Sequence, residues 1–201
     1  MNSAVIVAGG RGSRVGKNIP KQFLKINGEE ILSYSVSTFL KHPNINEVII
    51  VSHPDWIEVV SKKYIECRIV AGGKRRQDSS LNGVRATDDK TENVLIHDAN
   101  RPFTNTKLIS EILKKLKKFK AVIPRIKIQD TIKKVENNKI TSLNRDKIFA
   151  LQTPQGFKFK ELLKKHVNAN GKKFTDDSSL FDNTGKIITY IYGNNENIKI
   201  T

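Results

Sequence analysis

Short β-branched runs alternate with segments of helical spacing along the first part of the chain. Residues 4–8, 47–52, 66–70, 93–97 and 120–124 have the length and composition of strands. Between them, 31–41, 55–64, 78–87 and 106–119 read as helices. The last is the clearest: Leu108, Ile109, Ile112, Leu113, Leu116 and Phe119 recur at helical spacing, with Lys114, Lys115, Lys117 and Lys118 facing away. Strand alternating with helix predicts parallel strands joined by crossover helices: an α/β, doubly wound, mostly parallel sheet covered on both faces. In such sheets ligands sit beyond the carboxyl ends of the strands.

The rhythm changes after Pro124. Residues 130–135 and 139–143 are strand-like runs flanking the turn Glu136-Asn137-Asn138, so a β-hairpin arm near 130–145 is expected to project from the sheet. Helices are expected near 159–167 and 177–183, and closing strands at 187–192 and 197–201. No repeat or low-complexity linker divides the 201 residues, which are read as one domain, 1–201, carrying that arm.

Composition narrows the partners. The net charge is +16, which points to polyanions, either nucleic acid or phosphorylated small molecules. Lysine supplies 27 of the 36 basic residues and arginine 9, so much of the excess reads as a lysine- and asparagine-rich surface, and the arginines carry more information. Cys67 stands alone, which excludes a disulfide framework or a cysteine-based metal site. No apolar run approaches the ~20 residues that span a bilayer. The start MNSAVIVAGG places no basic residue before its short apolar run, unlike a signal peptide, and a cytoplasmic location without a membrane partner is expected.

The stretch AGGRGSRVGKNIPKQF follows the first strand and packs glycine, arginine and lysine closely. It is not a Walker A loop, because Asn18 follows Gly16-Lys17 and Arg11 stands five positions before Gly16. The Rossmann pattern fails at Val15, and Pro20 interrupts the helix that a dinucleotide site needs. What remains is an extended loop whose glycines expose N–H groups to an anion, with Arg11, Arg14, Lys17 and Lys21 around it. That much positive charge suits a triphosphate and the charge that develops during nucleotidyl transfer.

Further motifs follow in order: Gly72-Gly73-Lys74-Arg75-Arg76-Gln77-Asp78-Ser79, His97-Asp98-Ala99-Asn100-Arg101-Pro102, Asp130-Thr131-Ile132-Lys133, Thr153-Pro154-Gln155-Gly156-Phe157, Thr175-Asp176-Asp177 and Asn197-Ile198-Lys199-Ile200-Thr201. With the opening loop, this set resembles the 2-C-methyl-D-erythritol 4-phosphate cytidylyltransferases of the non-mevalonate isoprenoid pathway, from Val5 to the last residue. The wording VAGGRGSR, HDANRPF and TPQGF is similar to the cytidylyltransferase half of bifunctional enzymes, whose cyclodiphosphate synthase domain has no counterpart in these residues. Family members usually run on past the position of Thr201 into a Pro-Asp turn and a closing helix, so a piece of a longer protein is one reading. Gly9, Asn100 and Ser80 depart from the common pattern without removing a charged group. Gly9 also occurs in the related ribitol-5-phosphate cytidylyltransferases, which remain the alternative; Thr131 and Thr175 with their neighbours favour methylerythritol. A basic nucleic-acid-binding module is the reading from a different class, and the ordered motifs argue against it.

The resemblance implies a nucleotide-diphospho-sugar transferase-like, Rossmann-like fold and a reaction between CTP and a polyol phosphate, with Mg²⁺ on Asp98. Arg14 and Lys21 are implied for the transition state. Backbone groups of Ala8, Gly9 and Gly73, with the Ser79 hydroxyl, would read cytosine; Gly10, Asp98 and Ala99 would approach the ribose, and Arg76 would brace that pocket. The sugar phosphate would meet Thr131, Arg145 and Lys199, with Arg145 and Lys199 orienting the attacking oxygen and Thr153 and Thr175 as weaker candidates. The hairpin arm reaches across a homodimer in this family, so Thr131 and Arg145 are expected at the neighbouring subunit's site. A phosphate monoester is already ionised near neutral pH, which accounts for the lack of a nucleophile–histidine–acid constellation. His97 is expected to pack beneath the loop; His42, His53 and His166 lack metal-ligand spacing, and Trp56 reads as packing.

Overall fold

The computed structural model describes residues 1–10, 19–169, 173–182 and 184–201. In chain order, β1 (Asn2–Ala8) is followed by the short pair β2 (Lys25–Ile26) and β3 (Glu29–Glu30), which runs into α1 (Ile31–Leu40). Then come β4 (Glu47–Ser52), α2 (Ile57–Lys63), β5 (Arg68–Ala71), α3 (Arg76–Arg85), β6 (Asn93–Asp98), α4 (Thr106–Leu116) and β7 (Ala121–Lys127). The arm is β8 (Lys133–Glu136) and β9 (Lys139–Ser142), and the chain continues through β10 (Phe149–Leu151), β11 (Gln155–Lys158), α5 (Phe159–Asn168) and β12 (Ile188–Tyr192).

The central sheet runs β5-β4-β1-β6-β11-β7, with β10 and β12 also on β7. β1, β4, β5 and β6 are mutually parallel, as the alternation of strand and helix predicts. The departure lies between β6 and β7, where β11 inserts antiparallel to both. β10 also runs antiparallel to β7, at Arg125–Lys127, and β12 adds a parallel strand. Since Arg125 pairs with both Leu151 and Tyr192, β10 and β12 occupy opposite sides of β7.

Burial explains the apolar runs. Along β1, Ala4, Ile6 and Ala8 enter one core with Leu32, Phe39, Ile109 and Ile112 of α1 and α4. Val5, between them, enters the other with Val84 of α3 and Leu162 of α5. A strand covered on both faces has no solvent side, so it needs no polar alternation. Gly83 lets α3 sit close to the sheet: a Cβ there would lie 2.3 Å from Cγ1 of Val5.

Several boundaries differ from the sequence reading. α3 begins at Arg76 rather than 78, because the Asp78 carboxylate accepts the Arg75 N–H and closes the first turn. The strand expected at 66–70 forms as Arg68–Ala71. The helix at 55–64 divides into a 3₁₀ turn, Pro54–Trp56, and α2, and that at 177–183 is a 3₁₀ turn over Asp177–Phe181, with 183 outside the described residues. Residues 197–201 form no strand. Their carbonyls accept instead from side chains, Asn197 from Arg101 Nη1 at 2.7 Å and Ile200 from Asn100 Nδ2 at 2.8 Å, so no ladder develops.

Candidate functional site

A crevice of about 950 Å³ opens at the carboxyl ends of β1, β4, β5 and β6. Ala8, Gly9 and Gly10 leave β1 into it, His53 and Pro54 follow β4, and Gly72 to Arg76 follow β5. Asp98, Ala99 and Asn100 form its β6 side, and Lys199 and Thr201 enter from the C-terminal segment. Ala8, Gly9, Gly10, Gly73, Ser79, Asp98 and Ala99, all expected at the nucleotide, line this one space, together with Lys21 and Lys199. Arg11, Arg14 and Lys17 lie outside the described residues.

The glycine loops are held by neighbours. Gln22, which the sequence reading did not single out, is buried and donates through Nε2 to the Ala8 carbonyl at 2.6 Å. It sits in the 3₁₀ turn Lys21–Phe23 after Pro20, which directs the amide back at the strand end. Gly73 donates its N–H to Ser79 Oγ at 3.0 Å, and a Cβ at Gly73 would fall 2.3 Å from Cβ of Asp78. Glycine is required there by space. Ser79 Oγ in turn donates to the Arg75 carbonyl.

Asp98 supplies the one side-chain carboxylate among the described lining residues, facing five cationic side chains: Lys21, Lys74, Arg75, Arg76 and Lys199. Its Oδ1 accepts from Arg76 Nε at 3.0 Å and its Oδ2 from Lys199 Nζ at 2.6 Å. Burial by itself would raise its pKa; the charges and hydrogen bonds of Arg76 and Lys199 outweigh it and hold the carboxyl well below the usual range. Arg76 continues inward, with Nη1 at 2.8 Å from Oδ2 of the fully buried Asp177. It thereby ties the crevice carboxylate to the interior of the protein.

Behind Asp98, Thr153 and His97 fix the backbone. The Asp98 N–H donates to Thr153 Oγ1 at 3.0 Å, and that hydroxyl meets His97 Nδ1 at 3.2 Å. His97 Nε2 lies 3.1 Å from the Arg101 carbonyl, which can only accept, so Nε2 carries the proton and Nδ1 accepts from Thr153. Burial lowers the His97 pKa to about 4, consistent with a neutral ring packed beneath the loop. Thr153 is buried here, with its hydroxyl turned to Asp98 and His97.

Three expected substrate residues lie elsewhere in the chain. Thr131 and Arg145 are exposed in and beside the arm, where the Arg145 guanidinium donates to the Gln129 carbonyl. Thr175 is exposed beside Phe174, whose N–H donates to Gln77 Oε1. None of the three lines the crevice of its own chain.

Among the described residues no cluster of three or more His, Cys, Asp or Glu could hold a metal by itself. Asp98 still suits Mg²⁺, which commonly takes one or two carboxylates and completes its shell with water and substrate phosphates. The carboxyl is ionised and opens on the crevice.

The parallel strands, the glycine turns at their carboxyl ends and the cation-rich crevice define an α/β protein of the nucleotidyltransferase class. The family model of the 2-C-methyl-D-erythritol 4-phosphate cytidylyltransferases matches residues 2–201, and the chain belongs to that family. It is 40% identical over 211 residues to the 2-C-methyl-D-erythritol 4-phosphate cytidylyltransferase of Clostridium botulinum strain Langeland, covering 100% of this chain and 92% of that protein. Among solved structures, it is similar to the 4-diphosphocytidyl-2C-methyl-D-erythritol synthase of Anaerococcus prevotii, with a TM-score of 0.88 and 30% identity over 99% of this chain and 89% of that one. It also resembles the bifunctional IspDF of Campylobacter jejuni, with a TM-score of 0.85 and 26% identity, covering 100% of this chain and 52% of that one.

Proposed function

We infer that this protein is a cytidylyltransferase that joins CTP to 2-C-methyl-D-erythritol 4-phosphate, giving 4-diphosphocytidyl-2-C-methyl-D-erythritol and pyrophosphate. The observation that supports this most is Asp98, held between Arg76 and Lys199 in a crevice whose other charged side chains, among the described residues, are all positive. A phosphate oxygen of the polyol attacks the α-phosphorus of CTP; the new P–O bond forms as the α–β bridge breaks, and pyrophosphate leaves with the electron pair. The attacking phosphate is already ionised, so no general base is needed, and catalysis rests on positioning and on cancelling charge.

Lys21 from the crevice wall and Arg14 from the glycine loop neutralise charge developing at the α-phosphate. Gly9, Gly73 and Ala8 present backbone groups to cytosine with Ser79 close by, while Gly10, Asp98 and Ala99 approach the ribose. Asp98 would hold Mg²⁺, whose charge offsets that of the triphosphate. Lys199 stands beside Asp98, where it can meet the incoming polyol phosphate.

Arg145 and Thr131 are proposed to act in the crevice of a second copy, in a homodimer joined through the arm. Val135 and Ile140, a cross-strand pair 69% and 67% exposed, supply an apolar surface for that contact. Thr175 is assigned to the periphery of the polyol site, whereas Thr153, buried with its hydroxyl on the Asp98 N–H, is assigned to holding Asp98 rather than to substrate. The chain is read as a single nucleotidyltransferase domain working in the cytoplasm; no described helix is long and apolar enough to cross a membrane.

The deciding assay supplies CTP and Mg²⁺ with each polyol phosphate in turn and follows pyrophosphate. Turnover with 2-C-methyl-D-erythritol 4-phosphate is expected. Folded protein that turns over only ribitol 5-phosphate would move the assignment to that substrate.

A further inference from the structure

Arg76 offers its two guanidinium edges to two different carboxylates. Nε lies 3.0 Å from Asp98 Oδ1 on the crevice side, and Nη1 lies 2.8 Å from Asp177 Oδ2 on the inner side. Nη2, on the same edge as Nε, also lies 3.0 Å from Asp98 Oδ1 but makes no hydrogen bond, so one oxygen of Asp98 takes that whole edge. Asp177 is wholly buried and does not line the crevice. Its other oxygen is also taken: Oδ1 accepts from Ser80 Oγ at 2.6 Å and meets His166 Nε2 at 2.9 Å. Asp177 is therefore locked to α3 and α5, and Arg76 is locked to Asp177.

We propose that Asp177 is a positioning residue for the metal-holding carboxylate, acting through Arg76. An arginine released on its inner side could turn and grip both oxygens of Asp98 in the paired geometry that guanidinium and carboxylate favour. Anchored by Asp177, it engages Oδ1 alone. Oδ2 then stays directed at the crevice, where Lys199 meets it. The charges act in the same direction. Asp177 offsets the positive charge of Arg76, and without it that charge would bear more fully on Asp98 and on any cation approaching it. Stability alone is a poor account of the arrangement, since buried ion pairs seldom outperform well-packed apolar residues of similar volume. Thr175-Asp176-Asp177 is thereby divided: Asp176 caps the turn by accepting the Ser179 N–H, while Asp177 is aimed at the crevice wall from behind.

The inference rests on reading the crevice as a metal–nucleotide site, and its test keeps the two separable. Mn²⁺ is titrated into wild type, Asp177→Asn and Ser80→Ala in the presence of CTP without polyol phosphate, with bound Mn²⁺ followed by electron paramagnetic resonance. Thermal denaturation checks that each variant is folded. Asp177→Asn should raise the half-saturating Mn²⁺ concentration by roughly tenfold to a hundredfold, as expected for a partner lying one shell behind a metal ligand. Ser80→Ala, which removes one hydrogen bond and keeps the charge, should shift it less in the same direction; it carries the test if Asp177→Asn does not fold. In pyrophosphate release, excess Mg²⁺ should restore much of the kcat of Asp177→Asn. Folded variants with wild-type Mn²⁺ dependence would overturn the role of Asp177 alone. Wild type that binds no Mn²⁺ with CTP would instead overturn the reading of the crevice.

Discussion

Asp98 and Arg145 are both assigned to substrate, yet they stand in opposite surroundings. Asp98 ends a central strand, is gripped by two cations, and has its N–H fixed by Thr153 from the neighbouring antiparallel segment. Arg145 follows an arm in which every residue from 133 to 142 is exposed and whose two strands pair only with each other. A lone two-stranded ribbon is marginal in water. The crevice thus draws its geometry from its own chain, whereas the arm leaves the apolar side chains of Val135 and Ile140 exposed. Charge chemistry sits on the rigid part, and the projecting part is suited to completing it.

The contrast is open to direct attack. The largest expected effect is on the rigid side: Lys21→Ala should lower kcat by about 10²–10³, equivalent to about 3–4 kcal/mol of barrier, for loss of a cation at the reacting phosphate. CTP affinity should change by no more than about tenfold, because the main contact forms in the transition state. Rate and binding falling together would make Lys21 a ground-state clamp instead.

Acid should weaken the body next. His97 in the folded protein titrates at about 4, lowered from 6.5 by burial. Between those values an unfolded chain binds a proton that the folded chain does not, so stability falls as pH falls. The loss between pH 7 and pH 4 should be roughly 3 kcal/mol from this residue. The carboxyls of Asp98 and Asp177, both depressed, act only at lower pH still. Urea unfolding at several pH values measures the slope, and a folded His97→Gln variant should flatten it.

Charge placed on the arm should act differently. Val135→Asp should convert dimer to monomer in sedimentation and reduce turnover at least about tenfold, while body stability moves by no more than about 0.5 kcal/mol, as for an exposed position. An unchanged mass with unchanged rate would leave the arm without its assigned partner. The smallest effect is the sharpest. Co-expressed Asp98→Asn and Arg145→Ala chains should recover about a quarter of wild-type activity, because in a two-fold dimer half the molecules are mixed and one of their two sites is intact. No recovery from assembled mixed dimers would place Arg145 at its own chain's crevice.

Much of the crevice could be read before any coordinates. The glycine loop after β1 was legible as an anion site by itself, since a glycine turn after an apolar run constrains only a few neighbouring residues; Gly73, Ser79, Asp98 and Lys199 were joined to it only by the resemblance, and line the same crevice. Gln22 escaped because one amide among charged residues has no pattern, and its function depends on the direction of a 3₁₀ turn. β11 was hidden for another reason. Gln155, Gly156, Phe157 and Lys158 make a weak strand alone, and become one because β6 and β7 leave a slot between them.

The parallel body, the helix that crosses behind each early strand, the glycine turns and the polyanion chemistry follow from the order of residues, because local periodicity and turn chemistry act over a few positions. The insertion of β11, the fastening of residues 194–201 by Gln152, Arg101 and Asn100, and the link from Asp98 through Arg76 to Asp177 were decided only in three dimensions. Arg76 and Asp177 are 101 positions apart. Such a pairing leaves no periodic trace, and only the packing of α3 against α5 and its neighbouring turn brings the charges together.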